Sequence, residues 1–211
     1  VRLSPQENAA RYFKQYAKAK TAEKMLTEQL TKGREELRYL ESVVQELQQA
    51  ESEQDFNDIR TELTDGGYIR QRGKKQPGFQ RASKPREFRS SAGLRILVGR
   101  NNAQNDKLTL HTARGKDLWF HVQKAPGSHV VVMSRGEDIP DTTKQEAAEL
   151  AVVYSSTFKA GAAAKVAVDT TEVKNIWKAN GAKPGMVLYE VYTTVYITPR
   201  DGLEEQLKQK K

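Results

Sequence analysis

The sequence predicts an α+β protein: a long coiled-coil helical arm followed by a compact mixed α/β domain with a single helix-flanked sheet. Three observations carry this. Apolar residues recur in steps of three and four from Ala9 to Leu47. Short alternating apolar stretches separated by turn signals run from Leu94 to Thr198. Between the two lies a basic stretch punctuated by Gly and Pro. The expected organisation is an arm over residues 1–65, a basic linker over 66–92, the α/β domain over 93–200 and a polar tail over 201–211.

The arm starts at Ser4-Pro5-Gln6-Glu7. Ser4 is placed to cap a free backbone N–H, Pro5 suits the first helical position, and Glu7 reaches back as the capping-box partner. From there Ala9, Tyr12, Tyr16, Ala19, Ala22, Leu26, Leu30, Gly33, Leu37, Leu40, Val44 and Leu47 form a coiled-coil seam. Unbroken to about Glu51, such a helix is roughly 70 Å long. Gly33 permits an antiparallel hairpin, but the seam passes through it in phase, which favours one continuous helix. An apolar stripe of this kind needs a partner helix, either an upstream segment or a second copy of the chain, so self-association through the arm is an expectation. The opening residue, Val1, is not a methionine, which points to a fragment. A shorter helix is expected from Asp55 to Leu63, stopped by Asp65-Gly66-Gly67.

Charge is segregated. Residues 1–65 carry 10 Lys/Arg against 13 Asp/Glu (−3), residues 66–100 carry 10 against 1 (+9), and residues 101–211 carry 15 against 13 (+2). Nearly all of the basic excess therefore lies in and just beyond the linker. There Arg70, Arg72, Lys74 and Lys75 lead a run in which Tyr68, Phe79 and Phe88 are interleaved. Lys and Arg neutralise phosphates and rings offer stacking surfaces, so this pattern suits a polyanion with exposed bases. A purely non-specific attraction would produce the same pattern.

In the α/β domain, strands are expected at Leu94–Val98, Asp117–Val122 and His129–Met133, the last two around a Pro126-Gly127 turn. Asn105-Asp106 is placed to cap a short helix to about Ala113. Thr142 to Phe158 is the clearest helix, with Ala147, Leu150, Ala151 and Tyr154 on one face. Strands at 164–169, 186–189 and 194–198 complete a sheet of five or six strands. The segment from Leu203 to Lys211 reads as a polar helix end or a disordered tail.

Several chemistries are disfavoured. The chain has no cysteine, which removes disulfides, thiolate metal sites and cysteine nucleophiles. No apolar run approaches the roughly 18 residues of a membrane span, so membrane insertion is not expected. His111, His121 and His129 invite a zinc reading, but the sequence has no H-E-x-x-H spacing and shows no catalytic constellation around them. The spacing of Gly93 and Gly99 matches neither a dinucleotide fingerprint nor a P-loop. No cofactor and no enzymatic centre are expected.

The candidate binding residues are polar or aromatic. The loop of residues 99–107 supplies Arg100, Asn101, Asn102, Asn105, Asp106 and Lys107, donors and acceptors suited to phosphate or base edges. Asn and Asp also build turns for structural reasons alone. Trp119 and His121 share one face of a strand; with Phe120 turned to the core, they would be available to stack on a base, unless both faces of the sheet are covered. Lys124 sits on the Pro126-Gly127 turn, followed by Ser128 and His129.

Residues 99–109 (GRNNAQNDKLT), 117–132 (DLWFHVQKAPGSHVVV) and 173–189 (VKNIWKANGAKPGMVLY) closely resemble the R domain of the NFACT family. Residues 3–20 and 59–69 resemble its coiled-coil M region, so the resemblance covers nearly the whole chain. It implies an RNA-binding role on the obstructed large ribosomal subunit, where such proteins bind tRNA and support C-terminal alanine tailing, with the arm reaching toward the stalk base. The family's N-terminal domain and helix-hairpin-helix region have no counterpart here, so binding without tailing is expected of these residues alone. The resemblance carries over Arg100, Asn101, Asn102, Asn105, Asp106, Trp119, His121, Pro126, Gly127, Ser128 and His129 as functional positions, none of them catalytic. It implies a cytoplasmic protein. Bacterial members also bear a fibronectin-binding label, which implies host fibronectin as an alternative partner and the cell surface as a second location.

Overall fold

The computed structural model describes residues 3–70, 83–158 and 165–208. The chain divides into two compact units, Val1–Leu40 and Glu41–Lys211.

The first unit is helix. Helix α1 runs from Pro5 to Gln49 and its last turns belong to the second unit. It starts as the sequence dictates: Glu7 N donates to Ser4 Oγ at 3.2 Å, and Ser4 N donates to Glu7 Oε2 at 2.7 Å. The helix is continuous through Gly33. Its seam residues Tyr12, Tyr16, Leu26, Leu30 and Leu37 are exposed, as is Phe13 beside them.

The second unit opens with the end of α1 and helix α2 (Glu53–Asp65). Helix α2 begins two residues before the sequence expectation because Ser52 and Asp55 form a second capping box, in which Asp55 N donates to Ser52 Oγ at 3.2 Å and Ser52 N to Asp55 Oδ2 at 3.1 Å. Then follow β1 (Arg86–Arg89), β2 (Arg95–Val98), α3 (Asn102–Lys107), a π-helical turn (Leu108–Thr112), β3 (Leu118–Val122) and β4 (Val130–Met133). Helix α4 (Asp141–Val153), β5 (Val166–Glu172), β6 (Ile176–Trp177), β7 (Leu188–Tyr189), β8 (Thr193–Ile197) and α5 (Leu203–Leu207) complete the chain.

Six strands form one antiparallel sheet in the order β1-β2-β4-β3-β5-β8, and β6 with β7 makes a separate two-stranded ribbon. Alternation sorts the strand residues between two cores. Ile96, Val98, Phe120, Val122, Val130, Val132 and Val168 face α4 and α5, where Ala147, Leu150, Ala151 and Leu203 meet them. Leu97, Trp119 and Val131 face the other way, against Leu108, Val173 and Ile176. The sheet is thus covered on one side by helices and on the other by the π-turn and the ribbon.

Four local expectations are corrected. Strand β1 lies inside the stretch read as linker. Its Phe88 is buried in the helix-side core, and Arg86 lies 4.7 Å over the Tyr154 ring while donating to Gln49 O at 2.7 Å. Residues 186–189 join the ribbon and not the main sheet, with Leu188 pairing Trp177. Helix α4 stops at Val153, short of Phe158, because Tyr154 O accepts from Ser128 N at 2.9 Å and Ser155 bridges Gly127. The tail contains α5, whose Leu203 and Leu207 are core residues.

Phe120→Ala is expected to lower the unfolding free energy by about 3–5 kcal/mol, read from the urea midpoint. The same change at exposed Phe13, in the first unit, is expected to leave that midpoint within about 0.5 kcal/mol.

Candidate nucleic-acid interface

The polar loop of residues 99–107 is built chiefly by its own asparagines. Asn101, and not Asn105-Asp106, caps α3: its Oδ1 accepts from Gln104 N at 2.8 Å. Asn105 Oδ1 accepts from His129 N at 3.1 Å, tying α3 to the start of β4. This approach needs Gly99, where a Cβ would fall on the Asn105 amide. Asn102 Nδ2 donates to Ser42 Oγ at 3.0 Å and to Glu62 Oε1 at 3.2 Å, and Ala103 N donates to Glu62 Oε2 at 3.2 Å. Gly185, with φ +75°, fits where any side chain would collide with Asn102.

Arg100 is committed inside the fold. Its Nη1 lies 3.2 Å from Asp55 Oδ2 and 3.4 Å from Glu51 Oε2, and its Nε donates to Lys84 O at 3.0 Å. Burial pushes the Asp55 carboxyl up, but the Ser52 hydroxyl, the Glu51 and Ser52 backbone N–H groups and the Arg100 charge outweigh it and hold Asp55 below its usual range. Asp106 pairs with Lys178. Nearby, burial and the charge of Glu62 push the Glu46 carboxyl well above the usual carboxylate range.

The expectation that Trp119 offers a stacking face is corrected. Trp119 is 1% exposed, because the π-turn and ribbon close over its side of the sheet. It anchors an aromatic box, with ring centroids 5.6 Å from His121, 5.2 Å from His129 and 4.9 Å from Tyr189. His129 Nδ1 and Thr109 Oγ1 are 2.8 Å apart, and His121 Nε2 lies 3.2 Å from Gly127 O. Burial, and the neighbouring His121 charge, hold His129 well below the ordinary imidazole range; burial lowers His121 too, against the hydrogen bonds of its ring. His111 is exposed on the π-turn. Among the described residues no group of three or more His, Cys, Asp or Glu side chains could hold a metal ion.

Of the residues singled out in the sequence, Asn101, Asn102, Asn105, Trp119, Ser128 and His129 are buried, and His121, Asp106 and Arg100 are half-buried. Arg100, Asn101, Asn102 and Asn105 hold the loop in place through the hydrogen bonds described above. Arg70, Lys107 and Lys124 are exposed. Arg72, Lys74 and Lys75 lie outside the described residues. Reading residue type in place of burial missed the outer cations Arg114, Lys116 and Lys174, which are exposed around the box. The signal for them was available: residues 107–116 contain three cations and no carboxylate, and residues 173–189 likewise.

The chain joins a long helix to a helix-flanked antiparallel sheet domain, with Trp119, His121, His129 and Tyr189 packed together on one side of the sheet. Two family descriptions match it: "NFACT N-terminal and middle domains" over residues 1–81 and "NFACT protein RNA binding domain" over residues 84–190. The chain belongs to the NFACT family, and its α/β part is that family's RNA-binding domain. It is 40% identical over 198 residues to the Rqc2 homolog RqcH of Bacillus subtilis, covering 93% of this chain and 34% of that protein. It is 41% identical over 209 residues to the Rqc2 homolog RqcH of Streptococcus suis, covering 99% and 37%. The chain therefore spans about a third of the length of these relatives. A solved structure, the C-terminal part of the fibronectin/fibrinogen-binding protein from Streptococcus suis, superposes with a TM-score of 0.86 at 38% identity, covering 99% of this chain and 81% of that one.

Arg100→Ala is expected to destabilise the second unit by about 1–3 kcal/mol, because a largely buried Asp55 loses a charged partner. It should leave the salt dependence of RNA binding unchanged; a slope lowered by about one would restore Arg100 as a phosphate contact. The two histidines set a pH dependence. Their folded pKa values are depressed, so as pH falls below about 6.5 the unfolded chain takes up protons that the folded chain refuses. Stability is expected to be retained above that pH and lost progressively below it. His129→Gln should flatten this decline in urea midpoints measured across the acid range. Glu46 has the opposite sign: its folded pKa is raised, so its stabilising contribution is lost as pH rises, and Glu46→Gln is expected to raise the midpoint at neutral and alkaline pH.

Proposed function

We propose that this chain is the non-catalytic, RNA- and ribosome-binding part of a ribosome quality-control factor. In this reading it holds the obstructed large ribosomal subunit and its tRNA and so supports C-terminal alanine tailing, in the cytoplasm. The observation that carries the proposal is the pair of NFACT matches over residues 1–81 and 84–190, together with relatives named Rqc2 homolog RqcH at about 40% identity over nearly the whole chain. The charge of the molecule supports it: a net +8, concentrated in residues 66–100, favours a phosphate-rich partner. The exposed seam of α1 supports a further element of the reading, an arm that takes up a helical partner, whether another part of the full protein or a second copy.

A second reading, recognition of host fibronectin at the cell surface, is favoured by one observation, the name of the Streptococcus suis protein whose C-terminal part shares this fold. The two differ in how binding responds to salt. At about 0.5 M salt the Debye length is only a few Å, so attraction between exposed charges is largely screened.

Binding of the purified chain to large subunits carrying peptidyl-tRNA, to empty subunits and to immobilised fibronectin, across a salt series, tests both. The quality-control reading expects preference for the tRNA-carrying subunits and affinity that falls steeply with salt. Absence of subunit binding, with saturable fibronectin binding that survives about 0.5 M salt, would put the second reading in its place.

A further inference from the structure

Resting on the RNA-binding reading, we infer that the face of the sheet covered by the π-turn and the β6–β7 ribbon takes single-stranded RNA, with Trp177 as the stacking platform for an unpaired base and Lys107, Arg114, Lys116 and Lys174 as phosphate contacts.

The two faces of the sheet carry different covers. Residues 137–153, which include α4, carry five carboxylates and one lysine. The opposite cover consists of residues 107–116 and 173–189, which hold six Lys or Arg and no carboxylate. Of these, Glu137, Asp138 and Asp141 are exposed on the α4 side while Glu146 and Glu149 are buried; on the other side Lys107, Arg114, Lys116 and Lys174 are exposed and outnumber the bordering Glu172 and Glu190, so a polyanion approaches the second side.

The two acid-free segments form one surface. Leu108, Val173 and Ile176 turn inward together onto Leu97, Trp119 and Val131, with Ala113 and Val187 packed beside them. Backbone hydrogen bonds stitch the segments together, Lys174 N to Gly115 O at 3.2 Å and Val173 N to Asp117 O at 3.0 Å, and Lys178 pairs with Asp106. Their apolar residues face the core, so Lys107, His111, Arg114, Lys116 and Lys174 are left exposed. The cations here are compensated only in part: Lys174 lies 2.6 Å from Glu172, while Lys178 is taken by Asp106. A π-helical turn is uncommon and recurs at functional sites, and this one carries His111 between Lys107 and Arg114.

Trp177 gives the surface its specificity. In β6 the preceding Ile176 points into the core, which turns Trp177 outward, and it is 42% exposed. Along the chain it stands between Lys174, held at Gly115 beside Arg114 and Lys116, and Lys178, held at Asp106 beside Lys107. An exposed indole among cations stacks on a base only where that base is unpaired, which selects single-stranded or looped RNA over a duplex.

The chain has two tryptophans, and the other, Trp119, is buried, so intrinsic fluorescence reads this surface directly. An end-labelled short single-stranded oligoribonucleotide and an end-labelled RNA duplex are titrated with wild type, Trp177→Ala, Trp177→Phe, Arg114→Ala/Lys116→Ala and, on the α4 side, Lys144→Ala, with affinities read from the anisotropy of the label and tryptophan emission followed in the wild type. The single strand should quench wild-type tryptophan emission. Trp177→Ala should bind it roughly 5- to 150-fold more weakly, with Trp177→Phe recovering part of the loss and duplex binding little changed. The double variant should lower the salt slope by roughly one to one and a half, and Lys144→Ala should match wild type. Circular dichroism establishes that each variant is folded. Wild-type affinity for single strands in both Trp177→Ala and the double variant would overturn this surface while leaving RNA binding intact. Absence of RNA binding in the wild type would overturn the RNA-binding reading along with it.

Discussion

The second unit depends on a sheet that is buried on both faces. Trp119 and Phe120 are neighbours on β3, point to opposite sides, and are each 1% exposed. A strand with two such residues cannot be satisfied by α4 alone, since about 25 cal/mol per Å² of apolar surface would be lost on whichever face stayed in water. The π-turn and the β6–β7 ribbon supply the second cover. Their outward residues, Lys107, His111, Arg114, Lys116 and Lys174 among them, are left exposed.

The polar loop between β2 and α3 transmits this arrangement to the helical part of the unit. Its asparagines, Arg100 and Gln104 satisfy one another, the Glu62 carboxylate, the Asp55 carboxylate and the carbonyls of Ser83 and Lys84. Buried polar groups are costly unless paired, and these pairings favour one arrangement of α2 and the last turns of α1 against the sheet. The network is not complete: Asp55 Oδ1 is buried without a hydrogen-bond partner, and burial beside Glu62 pushes the Glu46 carboxyl up. The same residue types that suit RNA recognition are thus used here to build the platform of the fold.

The two units differ in how their apolar residues are covered. The first unit is a single helix whose apolar seam is left exposed, and such a seam acquires its stability from a second helix. The second unit is self-sufficient in its two cores and distributes charge asymmetrically, acidic over α4 and basic over the ribbon.

Short-range features were legible in the chain before it was folded. The capping box at Ser4 and Glu7, the seam running through Gly33, the alternation that makes β2, β3, β4, β5 and β8, and the motifs at 99–109, 117–132 and 173–189 are all carried by residues within a few positions of one another. Strand β1 was not legible, because Pro85 and its arginines read as linker until Phe88 finds the core and Arg86 finds Tyr154, nearly 70 residues away in the chain. Burial of Trp119 was equally hidden: alternation names its face, but only residues 108–113 and 173–189 folding onto that face decide whether it is covered. The same long-range pairing chose which cations stay outside. Periodicity reports which side a residue takes, while exposure depends on what distant segment packs there, and that was decided by the tertiary structure alone.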